Sequence, residues 1–122
     1  MGSEMCIRDR YIEIARLTDK WSKFFNRRFG LVVGATHSDV FTRIRQNAPN
    51  SPFLIPGIGA QGGNLEASVL AGTDKEGEMA IINSSRGIIY ASDGKDFSNA
   101  ARKEAVKLRD EINRFREKKE KG

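Results

Sequence analysis

Two side chains in this sequence could grip an anion, Gln61 and Arg86. Gln61 is the only long polar residue in LIPGIGAQGG (54–63), where glycine occupies positions 57, 59, 62 and 63. Glycines there let backbone N–H groups turn inward, and they let a bulky anion approach the main chain closely. The amide of Gln61 adds a neutral donor, and a helix starting just beyond it offers its positive end. Arg86 lies in NSSRGIIYA (83–91) and is the only charged residue from Ala80 to Ser92. A cation among apolar and small neighbours needs a partner, and the planar guanidinium fork matches phosphate oxygens. Gly87 leaves room beside it, while Ser85 and Arg86 bring backbone donors. A ligand-free tight turn and an ordinary salt bridge from Arg86 to a neighbouring helix are the plainer accounts. The two segments taken together favour phosphate.

Chemistry at one place requires elements that bring the segments together. Leu31–Ala35 (LVVGA), Phe53–Ile55 and Met79–Ile82 are short continuous apolar runs, the mark of strands covered on both sides. Helical spacing fills the intervals. Ile14, Leu17, Trp21, Phe24 and Phe25 give a helix over Tyr11–Arg27 one buried face. Ser38 or Asp39 caps a second helix carrying Val40, Phe41 and Ile44, which ends before Pro49. Asn64 caps a third, with Leu65, Val69 and Leu70, closed by Gly72. A long final helix carries Phe97, Ala101, Ala105, Leu108, Ile112 and Phe115 along one stripe.

Strands beginning near 31, 53 and 79 with helices between them are the signature of parallel βα units. Gln61 and Arg86 then both follow carboxyl ends of strands, where ligands gather in such sheets. Three strands close no barrel and leave apolar edges, and a barrel of eight needs about 250 residues. The expected fold is α/β, the last three βα units of a (β/α)8 TIM barrel preceded by one helix. Its unclosed edge predicts weak stability or aggregation for the chain alone. In barrels phosphate often sits between the last two loops, against a short extra helix.

Composition narrows the classes. At 122 residues, 39% hydrophobic and 30% charged, the chain has the make-up of one small globular domain. No run approaches the roughly 18 apolar residues of a membrane span, and no apolar signal core opens the chain, so a cytoplasmic protein without a membrane partner is expected. Cys6 and His37 are the only cysteine and histidine, which excludes an internal disulfide and any Cys- or His-rich metal site. The net charge of +5 comes largely from RFREKKEKG (114–122). Acids interspersed there read as a solvated helix face rather than a nucleic-acid surface. Thr36, ending the first strand, and Pro56, opening the glycine loop, are candidates to line a substrate pocket. His37 invites a general-base reading, but without an acid nearby in sequence it reads as a surface histidine. No strand ends in a lysine or carboxylate, so no catalytic residue is assigned. Met1–Arg10 (MGSEMCIRDR) lacks periodicity and resembles a translated sequencing-adapter remnant. Residues 1–10 are therefore expected to be non-native, and 11–122 to be the domain part.

GLVVGAT (30–36), IRQNAPNSPFLIPGIGAQGG (44–63), IINSSRGIIYAS (81–92) and FSNAARKEAVKLRDEIN (97–113) together closely resemble the C-terminal portion of orotidine 5′-phosphate decarboxylase, in its longer bacterial-type subgroup. The resemblance runs from about Tyr11 to Phe115, and the joint presence of GIGAQGG and NSSRGIIYA makes it specific. It implies an eight-stranded barrel, a homodimer with active sites at the interface, and conversion of orotidine 5′-phosphate to uridine 5′-phosphate and CO2 without a cofactor. It also implies that Gln61 and Arg86 hold the substrate phosphate, assisted by backbone N–H groups near Gly59 and Ser85 to Gly87. The family's D-x-K-x-x-D cluster is absent; Asp93-Gly94-Lys95-Asp96 has neither its spacing nor its place. THSD (36–39) also departs, since relatives commonly open that helix with proline. Alternatives are another phosphate-binding barrel, such as a sugar-phosphate decarboxylase or isomerase, and a non-enzymatic anion-binding module.

Overall fold

The computed structural model describes residues 3–59 and 63–122, without the side chains of 3–9, 37 and 38. In chain order these form α1 (Ser3–Phe25), β1 (Leu31–Val32), a 3-10 segment (Ala35–Val40), α2 (Phe41–Asn47), β2 (Phe53–Ile55), α3 (Leu65–Gly72), β3 (Ala80–Ile82), α4 (Ser85–Ile89) and α5 (Phe97–Lys121). The strands pair in the order β1-β2-β3, all parallel, as the alternation of apolar runs with helices requires. Leu31 stands opposite Phe53, which stands opposite Ala80; Val32, Leu54 and Ile81 form the next row.

A strand turns successive side chains to opposite faces, and here the two faces differ. Phe53 and Ile55 are fully buried in a core with Ile12 and Ala15 of α1 and Phe41 and Ile44 of α2. Across the sheet, Val32, Leu54 and Ile81 are 72%, 40% and 61% exposed. Apolar residues on both faces of a parallel strand call for cover on both. A three-stranded parallel sheet with helices over one face and a bare apolar row on the other matches a partial barrel whose interior side is open.

Three local expectations are corrected. In α1 the buried stripe is Ile12, Ala15 and Thr18, while Ile14, Leu17, Trp21, Phe24 and Phe25 are exposed. The covered stripe is the one with small residues, which lets the helix approach α2 and the sheet. Thr18 tolerates burial because its Oγ1 donates to the carbonyl of Ile14, 2.8 Å away. The helix also begins at Ser3 rather than Tyr11. Next, α2 has Val40 at its cap position and no side-chain cap, instead of Ser38 or Asp39. The 3-10 segment runs straight into α2, so Val40 already has helical angles and no extended residue precedes the first turn to reach back. Finally, Phe97 and Ala105 of the α5 stripe are exposed, and only the partly buried remainder packs where α5 meets α3 and α4.

Asn64 behaves as its sequence position suggests. It is extended, and its Oδ1 accepts from the N–H of Ala67 at 3.0 Å, satisfying an amide that the first turn leaves without a partner. Asn64→Ala is expected to cost about 1 kcal/mol, read as a lower urea midpoint with an unchanged slope.

The far end of α5 is docked rather than solvated throughout. Arg116 Nε donates to the carbonyl of Gly77 at 2.7 Å, and Lys119 Nζ donates to the carbonyl and Oγ1 of Thr73 at 2.9 and 3.0 Å. Lys118 pairs with Glu66 of α3. The turn they hold is organised by Asp74, whose Oδ1 accepts from the N–H groups of Glu76 and Glu78. Burial, then the nearby Arg45, lowers the Lys119 pKa from its ordinary value, against an opposing pull from Asp74.

Arg45 of α2 anchors the same end of the sheet. Its guanidinium lies 3.6 Å over the Phe53 ring and donates to the carbonyls of Ala48, Ser51, Gly72 and Met79. Met79, expected to open the third strand, instead sits just before it at φ 66°, with its carbonyl bonded to Arg45 and to the N–H of Phe53. No helix among the described residues is long and apolar enough to cross a membrane.

Candidate functional site

Because the strands are parallel, the segments following β1, β2 and β3 emerge at one end of the sheet. Backbone bonds tie them to one another. The N–H of Ala35 donates to the carbonyl of Pro56 at 2.9 Å, and the N–H of Asn83 to that of Ile55 at 3.0 Å. Thr36, Pro56, Gly59, Ser85, Arg86 and Gly87 therefore share one rim. Thr36 is exposed on the 3-10 segment, and Pro56 is half-buried with its carbonyl taken by Ala35.

The loop after β2 is a small backbone ring. Gly57 and Gly59 take φ of 94° and 81°, angles that L side chains rarely adopt. Ile58 bridges to Gly63, and the Gly63 N–H closes onto the carbonyl of Gly57 at 3.0 Å. A Cβ at Gly63 would fall 2.4 Å from that carbonyl oxygen and 2.6 Å from the buried Ala35 Cβ, so only glycine fits. At Gly59 the corresponding position is open, with no atom within 4 Å. Gln61, with Ala60 and Gly62, lies outside the described residues.

After β3 the chain enters α4, a one-turn element that the sequence pattern did not mark. Arg86 sits on it, exposed, and among the described residues nothing bonds or pairs with its guanidinium. The ordinary salt bridge to a neighbouring helix is therefore not found among them. No side chain caps α4, which leaves its leading N–H groups to other partners. Ser85 Oγ donates to Asn83 Oδ1 at 3.3 Å, and a Cβ at Gly87 would meet Ser84 Oγ at 2.9 Å. Between the two loops and α5 lies a space of about 260 Å³, bordered by Gly59, Gly63, Gly87, Glu104, Lys107 and Glu111.

An anion is the ligand this rim suits: uncapped backbone amides at the start of α4, and a cation with no partner among the described residues. A reacting group is harder to find. The positions just past the strand ends are Val33, Pro56 and Asn83, with no lysine or carboxylate among them. His37 lies within the 3-10 segment, its side chain outside the described set. Among the described residues no three of His, Cys, Asp or Glu gather around a possible metal position.

No family model matches the chain. Among curated proteins, the orotidine 5′-phosphate decarboxylase of Dehalococcoides mccartyi strain CBDB1 is 45% identical over 108 residues, which are 88% of this chain and 39% of that protein. Among solved structures, the UMP synthase of Leishmania donovani superposes with a TM-score of 0.69 at 40% identity, over 86% of this chain and 22% of its own. A Toxoplasma gondii protein described as an orotidine-monophosphate decarboxylase gives a TM-score of 0.74 at 27% identity, over 92% and 43%. The chain thus spans about two fifths of the length of the curated relative.

Proposed function

We infer that this chain, related in sequence and fold to the orotidine 5′-phosphate decarboxylases, is the phosphate-binding C-terminal part of such an enzyme. The whole protein is a lyase that converts orotidine 5′-phosphate to uridine 5′-phosphate and CO2 in pyrimidine nucleotide synthesis, without a cofactor. It works in the cytoplasm as a homodimer and has no nucleic-acid partner. Residues 11–122 carry this reading, and Met1–Arg10 carry none of it.

The observation that supports it most is the position of Arg86. Among the described residues its guanidinium has no partner, and it stands at the same rim as Gly57, Gly59 and Gly63, where an incoming phosphate would meet both. Gln61 and Arg86 grip the phosphate, and N–H groups at Gly59, Ser85 and Gly87 add neutral donors. Thr36 and Pro56 line the adjoining pocket. Holding the phosphate lends binding energy to a reaction some distance away. The groups that do the chemistry belong to the rest of the barrel, since no lysine–aspartate cluster occurs here.

The test uses a whole barrel, made by joining this chain to the complementary part of a relative. Arg86→Ala should weaken uridine 5′-phosphate binding by about 1.5–3 kcal/mol, the worth of hydrogen bonds to a charged group, or about 10- to 150-fold. Uridine, which lacks the phosphate, should bind the variant and the parent alike. Calorimetry on both ligands reads the difference; equal losses for the two would remove Arg86 from the phosphate site.

A further inference from the structure

At the end of the sheet opposite the rim, α2, α3, the 73–78 turn and the last turns of α5 border an open pocket of about 500 Å³. Pro49, Leu70 and Ala71 give it apolar walls. Two of the cations beside it each have something left to offer. The N–H groups of a guanidinium lie in its plane, and all five of those on Arg45 are taken by carbonyls while one face lies on the Phe53 ring. The side chain is nonetheless only half-buried and borders the pocket, so what it presents there is its other face and its stem. An ammonium has three N–H donors. Lys119 Nζ gives two of them to the carbonyl and Oγ1 of Thr73, and among the described residues nothing takes the third.

Charge narrows the ligand. Arg45, Lys75 and Lys119 border the pocket together with Asp74 and Glu76, three cations against two carboxylates. Asp74 Oδ1 is committed to the N–H groups of Glu76 and Glu78, and Lys75 and Glu76 are exposed to water. Burial, then Arg45, disfavours the charge on Lys119, with Asp74 acting against them. One further negative charge would balance the excess and favour the charged amine. The free face of a guanidinium takes an aromatic ring. Apolar walls with a few convergent polar groups are the usual form of a small-molecule site.

We propose that this pocket binds a small molecule joining a flat aromatic ring to one anionic group, with the ring on the free face of Arg45 and the anion on the third N–H of Lys119. Ligand ring, guanidinium and Phe53 then form one stack that ends in the core. The site lies at the other end of the strands from Arg86 and does not depend on the reading given under Proposed function.

The test carries the full chain in the whole barrel and titrates it by calorimetry with naphthoate, naphthamide and the saturated decalin carboxylate. One naphthoate per chain is expected to bind. Naphthamide, which lacks the charge, and decalin carboxylate, which lacks the flat ring, should each bind about tenfold more weakly. Lys119→Gln should weaken naphthoate about tenfold and leave naphthamide unchanged. Thr42→Trp, which fills the pocket from the exposed side of α2, should remove binding of both. Far-UV circular dichroism confirms that the variants fold, and Thr42→Trp alone suffices should Lys119→Gln not. Absence of naphthoate binding, equal affinity for the three probes, binding indifferent to the substitutions, or displacement of naphthoate by uridine 5′-phosphate would overturn the proposal. A barrel that binds naphthoate as described but not uridine 5′-phosphate upholds the pocket and counts against the enzymatic reading.

Discussion

Replacing Arg45 with alanine is expected to lower the stability of the folded chain by about 3 kcal/mol, the scale of stranding several hydrogen-bonded groups at once. All five N–H donors of its guanidinium are in use. Nε and Nη2 converge on the carbonyl of Gly72 at 3.2 and 2.5 Å, Nη2 also reaches Met79 at 3.0 Å, and Nη1 joins Ala48 and Ser51 at 3.2 and 2.6 Å. Four carbonyls from two separate connections, α2 to β2 and α3 to β3, thus depend on one side chain. Burial lowers its pKa to about 10, with Asp74 acting in the opposite sense. A cation whose value is lowered costs the fold something at every pH below about 10, and the carbonyls together with the Phe53 ring offset that cost. The side chain stays charged throughout the neutral range, so the loss should not vary between pH 6 and 8. Lysine cannot reproduce the fork and should recover little. Urea titrations of Arg45→Ala, Arg45→Lys and the exposed control Arg102→Ala decide the matter. A midpoint for Arg45→Ala that coincides with the control would show that the carbonyls find water instead.

Gly63→Ala should abolish measurable phosphate binding in a whole barrel while leaving most of the fold standing. The added methyl has no exit, because one obstacle is backbone oxygen and the other is the Cβ of Ala35, which is 1% exposed. Relief requires Gly63 to move away from Gly57 and Ala35 by about an ångström, breaking the Gly63 N–H bond to the Gly57 carbonyl, and displacements of that size cost on the order of a hundredfold in positioned chemistry. Gly59→Ala offers a contrast, since its Cβ would meet nothing and only the positive φ is strained. Titration with uridine 5′-phosphate should rank Gly63→Ala well below Gly59→Ala; the reverse order would mean that backbone angle, not space, governs the loop.

The elements that bring the rim together were legible because strand and helix periods differ and because punctuation was strong. Phe53–Ile55 and the Asn64 cap appear where apolar continuity and an Asn before a helical run place them. Parallel order then fixed the shared end of the sheet without any knowledge of packing. What escaped was long-range. Arg45 resembles any other cation on a short helix, and its acceptors at 72 and 79 come from chain that sequence spacing cannot fold back. In α1 the pattern announced an amphipathic helix but misassigned its covered side. Ile12, Ala15 and Thr18 form a weaker apolar stripe than Ile14, Leu17 and Trp21, yet small residues are what close helix contact requires. The large ones are exposed. Arg86 stands out by its isolation in sequence, and among the described residues that isolation survives folding, which pattern alone could not promise.

The grip of Arg116, Lys118 and Lys119 on the 73–78 turn and on α3 has a mechanical consequence. From that turn the chain climbs β3, crosses the rim at Arg86, and descends α5 back to its starting point, so the three cations latch a closed hoop. A change at the extreme C-terminus that loosens these contacts would free the 73–78 turn, which lies at the end of the strands away from Arg86.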